Sequence, residues 1–237
     1  MPSAPKWLFD SVEFLLPKSP LAEITEIVLL SPSVKKIRCS GELKNFNFTV
    51  GSYIDFRVSD TEARRYTVSY ADTKSGILEF IVHLHAKGCG SSFMDSLTVG
   101  DRIKLNTPRA YNYYNKSAER FVIFGDETSL GLARSFLPVL KKNKHQFQFY
   151  FELDDENRDV PELLNIENCM VFTKNGSFRN EKWVSNLPIL KSADWQNANF
   201  VLTGNVKSAQ TFRRIIKEKT NGKVYLHGYW LEGKKGL

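Results

Sequence analysis

The chain has 237 residues, 42% hydrophobic and 25% charged, enough for one large globular domain or two small ones without staples. Its 33 basic and 26 acidic residues leave a charge of +7, which favours an anionic partner: a nucleotide, a phosphate, an acidic small molecule or nucleic acid. Cys39, Cys89 and Cys169 are odd in number, scattered and form no C-x-x-C pair, which argues against a disulfide framework or a zinc site and excludes a four-cysteine iron–sulfur centre.

Met1 to Leu16 lacks the layout of an export signal, and no run approaches the roughly 20 apolar residues of a membrane span. A soluble, cytoplasmic chain is expected. Within an extension over 1–18, Trp7, Leu8, Val12 and Leu15 recur at helical spacing and predict a short helix at 5–15. Next come strand-like runs at 23–30, 35–40, 46–49, 52–58, 64–70, 77–85 and 101–106, separated by Gly, Asn, Asp and Ser. They predict an antiparallel β-barrel domain over 19–110. Residues 108–118 are rich in Tyr, Asn and Lys without periodicity; 111–118 reads as a linker, and Tyr111, Tyr113 and Tyr114 either cover a ligand or pack the domains together.

The rhythm then changes. A strand at 120–124 leads into a helix ending near 142. Strands at 147–153, 169–173, 199–203 and 223–227 follow, with helices near 180–186 and at 206–219. That alternation predicts an α/β domain over 119–237 with a parallel sheet and helices on both faces. The fold class is therefore β + α/β.

Three motifs carry chemistry. In Arg64-Arg65-Tyr66-Thr67, strand alternation puts Arg64 and Tyr66 on one face, where a guanidinium forks onto a diphosphate and the ring packs on a flavin nucleotide; the alternative is an exposed Arg beside a half-buried Tyr. Gly88-Cys89-Gly90-Ser91-Ser92 begins 21 residues after Thr67. It reads as a glycine loop entering a helix N-terminus, which is either an anion site or a turn capped by Ser91. Gly125-Asp126-Glu127-Thr128 follows an apolar strand and opens a helix, the place where an α/β domain docks a nucleotide. Its carboxylates suit ribose, amide or adenine groups, or Asp126 or Thr128 caps the helix.

Together these motifs resemble the ferredoxin–NADP reductase superfamily. G-D-E-T, with Leu202-Thr203-Gly204 and Gly228-Tyr229-Trp230, resembles within it the siderophore-interacting protein family of FAD-dependent ferric-siderophore reductases. The resemblance covers about 20 to 233. It implies that Arg64, Tyr66 and Thr67 contact FAD, with Thr67 near the reacting edge of the ring. It also implies that Gly88, Gly90, Ser91 and Ser92 hold the diphosphate, that His83 lies beside the cofactor, and that Asp126, Thr128 and Trp230 border the pocket. NAD(P)H is the implied co-substrate and a ferric siderophore the implied acceptor; such complexes are commonly anionic, which fits the +7 charge, and Lys36, Arg65, Lys234 and Lys235 are read from the sequence as a basic rim for one. The chain differs from the family at Leu130-Gly131, where Leu-Pro is common, and at Leu231-Glu232, where arginines are usual.

The rival within the superfamily is a flavin reductase serving an electron-carrier protein. A nucleic-acid-binding role is disfavoured because the basic residues are interleaved with Asp and Glu. A monomer is expected. His83 and His85 share a strand face, but no third ligand has metal-site spacing. Phe147, Phe149 and Phe151 read as core. The basic face Arg213, Arg214, Lys217 and Lys219 reads as solvated. Nucleotide preference is contested: Asp154-Asp155-Glu156 favour a free ribose hydroxyl, whereas Lys174 and Arg179 suit a 2′-phosphate.

Overall fold

The computed structural model describes residues 3–15, 20–85 and 88–234, and it divides into two compact units after Tyr111. The first unit opens with α1 (Lys6–Leu15). It continues through β1 (Leu21–Ser31), β2 (Val34–Gly41), β3 (Ser52–Arg57), β4 (Ala63–Asp72), β5 (Ile77–His83), α2 (Cys89–Ser96), β6 (Arg102–Lys104) and β7 (Arg109–Ala110). The strands pair antiparallel in the order β6-β1-β2-β5-β4-β3-β7, the curled barrel sheet expected. Alternation builds its core: Ile37 and Cys39 of β2, Ile54 and Phe56 of β3, and Phe80 and Val82 of β5 are all buried together. Burial without a charged partner pushes the Cys39 thiol up to about 12.

Three expectations change here. Residues 46–49 form no strand. Phe46 and Phe48 alternate as a strand would, but they pack edge to face at 5.9 Å as a loop laid against the core, between turns at Asn45 and Val50. β5 ends at His83, where its ladder with Val34 ends, so His85 stands beyond the strand rather than on its face. The segment 108–118 is not one loop: Arg109–Ala110 pairs with β3, and Tyr111 packs on Tyr53 at 5.3 Å. Tyr113 and Tyr114 belong to the second unit's packing. Tyr113 meets Tyr225 edge to face, and Tyr114 stacks on Phe121 with its hydroxyl 2.9 Å from His145 Nε2.

The second unit runs through β8 (Arg120–Gly125), a 3-10 turn at Glu127–Ser129, α3 (Leu130–Lys142), β9 (Gln146–Leu153), α4 (Val160–Leu163), β10 (Cys169–Thr173), α5 (Glu181–Val184), α6 (Pro188–Lys191), β11 (Asn199–Leu202), α7 (Val206–Lys219) and β12 (Lys223–Leu226). Its sheet is wholly parallel, in the order β10-β9-β8-β11-β12. Val122 and Phe124 point to one face, where Phe212 and Ile216 of α7 cover them. Phe121 points to the other and packs on Phe136 of α3 at 6.2 Å. The helix expected at 180–186 is a single turn, because Pro188 holds Leu187 in an extended conformation (ψ 134°). Among the described residues, no helix is long and apolar enough to cross a membrane.

Candidate functional site

Register decides which side chains of β4 act together. Arg64 lies opposite Phe56 and Tyr66 opposite Ile54, so both share the face that carries the buried β3 side chains. Phe56 holds the Tyr66 ring edge to face at 6.0 Å. Desolvation pushes the Tyr66 phenol well above its ordinary range, which keeps it neutral and able to donate.

The start of α2 rests on this pair. A Cβ placed on Gly90 would lie 2.7 Å from Tyr66 Oη and 2.8 Å from Arg64 Cγ, so only glycine lets the helix approach so closely. Gly88 is the N-cap and, having no side chain, makes no capping bond of its own to the first turn. The alternative in which Ser91 capped the helix is therefore replaced: Ser91 sits inside the first turn, and its hydroxyl accepts from His85 N at 2.8 Å. Ser92 is exposed. An uncapped helix start above a guanidinium is what a diphosphate needs. The Arg64 guanidinium is held by Glu62 at 2.9 Å and by the Ala63 carbonyl, so a bound diphosphate would compete with Glu62 for it.

Thr67 is not on this face. It stands opposite Tyr53, on the side where Arg65 lies over the Tyr53 ring at 3.9 Å, bonds Tyr111 and pairs with Asp55. Arg109 pairs with the same Asp55. Arg65 is thus a structural cation within a cluster rather than a free rim charge. Lys36 pairs with Glu26 at 3.4 Å, and Lys235 lies outside the described residues. His83 is half-buried at the end of β5, its ring 6.1 Å from that of His85.

In the second unit, the G-D-E-T loop closes on the protein itself. Asp126 is fully buried. Its Oδ1 accepts from Thr128 N at 2.9 Å and from the Thr128 hydroxyl at 2.5 Å, and its Oδ2 accepts from Trp230 Nε1 at 2.6 Å. The capping alternative is what the geometry shows for Asp126. Gly204, at φ +78°, leaves room for this carboxylate; a Cβ there would lie 2.7 Å from Oδ2. Glu127 is also fully buried. Its Oε1 accepts from Asp154 N at 2.7 Å and Asn157 Nδ2 at 3.1 Å, and its Oε2 pairs with Lys174. Burial works against the Lys174 charge, but Glu127, Asp126 and Asp154 together outweigh it and hold the ammonium above its ordinary range.

These residues stand where β8 and β11, neighbours in the sheet, end together, the crevice in which parallel α/β sheets take ligands. Asn205, 1% exposed, caps α7 with its Oδ1. Its Nδ2 is a buried donor with no partner among the described residues. Glu152 of β9 was absent from the sequence-derived set. It is 3% exposed, and burial with help from Asp126 pushes its carboxyl up to about 7. The only signal for it was the one charged residue of β9, set next to the strand's end among Phe, Tyr and Leu.

Residues 21–114 match the family model described as an oxidoreductase FAD-binding domain. The amino-terminal unit is an oxidoreductase FAD-binding domain. The chain is thus an FAD-binding oxidoreductase, and its barrel face fits that cofactor through the uncapped start of α2, the close approach at Gly90, and Arg64. No curated protein sequence matches the chain. Among solved structures it is similar to the siderophore-interacting protein SipS of Aeromonas hydrophila, with a TM-score of 0.73 and 18% identity over 92% of this chain and 94% of that one. A siderophore-interacting protein from Acinetobacter baumannii gives 0.68 and 19% over 92% of each. A ferredoxin NADP+ reductase from Neisseria gonorrhoeae, solved with bound FAD and NADP, gives 0.70 and 14% over 90% and 99%. These likenesses show a shared fold.

Proposed function

We propose that the chain is a reductase that draws hydride from a nicotinamide nucleotide and delivers electrons to an anionic ferric siderophore. The observation that carries the reading is the hydrogen bond from Trp230 to Asp126. It ties the G-D-E-T loop to the carboxy-terminal Tyr-Trp pair, the two features by which the sequence resembles siderophore-interacting proteins, and solved proteins of that description share the fold over nearly their full length.

In this reading Arg64 and the first-turn N–H groups of α2 hold the FAD diphosphate, and Tyr66 packs against the cofactor. Thr67 takes no part from that face; its role rests on the opposite side of β4. The β8–β11 crevice, with the unpartnered Asn205 Nδ2, receives the nicotinamide nucleotide. FAD supplies the conversion of a two-electron donor into single electrons; the protein contributes binding and orientation. Hard oxygen ligands grip Fe(III) far better than Fe(II), so one electron loosens the metal from its chelator.

The test is anaerobic oxidation of NADH and NADPH by the FAD-loaded protein with ferric hydroxamate, ferric catecholate or a cytochrome as acceptor. Rapid turnover with a ferric chelate supports the reading. Turnover with the cytochrome alone assigns the chain to an electron-carrier reductase instead, the rival that Leu231-Glu232 favours: Glu232 stands where the family usually has arginines and pairs with Arg179 and Lys207.

A further inference from the structure

Among the described residues, the cations at the ends of β9 and β10 that could meet a 2′-phosphate each have a carboxylate partner. Lys174, whose side chain is 19% exposed, pairs with Glu127 and, at 3.0 Å, with Asp154. Arg158 lies 4.0 Å from Asp155, and Arg179 pairs with Glu232. Glu127 is fully buried, so drawing Lys174 away leaves an uncompensated charge inside the protein, a strongly unfavourable change. Acceptors, by contrast, are plentiful. The side chains of Asp154 and Asp155 are 51% and 72% exposed, directly after β9, where a carboxylate accepts from a free ribose hydroxyl. A phosphate in the same position meets like charge.

We propose that the chain selects NADH over NADPH, with Asp154 and Asp155 specifying the free 2′-hydroxyl and Glu127 withholding Lys174 from a 2′-phosphate. This rests on the reading that the second unit binds a nicotinamide nucleotide. Glu127 is a positioning residue: it acts through Lys174.

The probes are 5′-AMP and 2′,5′-ADP, which differ only by the 2′-phosphate, titrated calorimetrically into the FAD-loaded full chain. The expected result is 5′-AMP binding at least about tenfold tighter, although the chain's net positive charge favours the more anionic ligand. Glu127→Gln should move the ratio at least about tenfold toward 2′,5′-ADP by releasing Lys174. Asp155→Ser, at an exposed position where folding is not at stake, should move it the same way, weakening 5′-AMP by loss of a ribose acceptor and relieving the repulsion against 2′,5′-ADP. Binding of 2′,5′-ADP as tight as or tighter than 5′-AMP overturns the selectivity while leaving the nucleotide site intact. Failure of both probes and of NADH to bind overturns the nucleotide reading and the selectivity with it. An unmoved ratio in both variants removes these residues from the discrimination.

Discussion

Replacing Glu152 with glutamine should stabilise the protein in a pH-dependent way, and the size follows from burial. The carboxyl ionises near 4.5 when solvated and near 7 in the fold, where desolvation and then Asp126 disfavour its charge. The folded state therefore binds the proton more tightly than the unfolded chain. Its contribution is fully present below pH 4.5 and is lost as the pH rises toward 7. At 1.36 kcal/mol per tenfold change in proton affinity, burying this carboxylate costs about 3 kcal/mol at pH 8 and about 1 kcal/mol at pH 5. Glutamine never ionises. Glu152→Gln should thus gain about 2 kcal/mol more at pH 8 than at pH 5, and any loss from the changed hydrogen bonding cancels in that difference. Urea unfolding followed by tryptophan fluorescence reads it, since Trp183, Trp195 and Trp230 lie in the second unit. An equal gain at both pH values, or a larger one at pH 5, would mean that burial does not raise the proton affinity of Glu152.

Gly90→Ala should press its methyl on Tyr66 and Arg64, costing about 1–3 kcal/mol and loosening the flavin; unchanged melting temperature and flavin content would count against the close approach. Trp230→Phe removes the donor to a buried Asp126 oxygen and should cost about 1–3 kcal/mol in urea unfolding. Adding Asp126→Asn to that variant should restore part of the loss, because a neutral amide tolerates the missing partner better; no rescue contradicts the charge argument.

The barrel was legible because burial follows the alternation of its side chains, as Ile37 and Cys39 illustrate, and the parallel sheet because its strands are apolar runs buried on both faces, as from Phe121 to Phe124. The same signal misled at 46–49, where Phe46 and Phe48 obey the period of a strand but lack a neighbour to pair with. Arg64, Tyr66 and Gly90 were legible as a set because two short motifs contain them. The states of Asp126, Glu127 and Lys174 were not. Their partners lie up to 104 residues away in sequence, and whether a carboxylate faces ligand, cap or lysine is decided only once the strands align. Glu152 was hidden for a related reason: its proton affinity depends on burial that its own strand does not declare.

Whether the Arg64–Tyr66 face and the start of α2 hold FAD is decided by an FAD titration of the apoprotein with Arg64→Ala alongside. Quenching of flavin fluorescence should saturate at one FAD per chain, and the variant should bind at least about tenfold more weakly, having lost a charge-assisted contact to the diphosphate. Equal affinity for wild type and variant would contradict that placement of FAD.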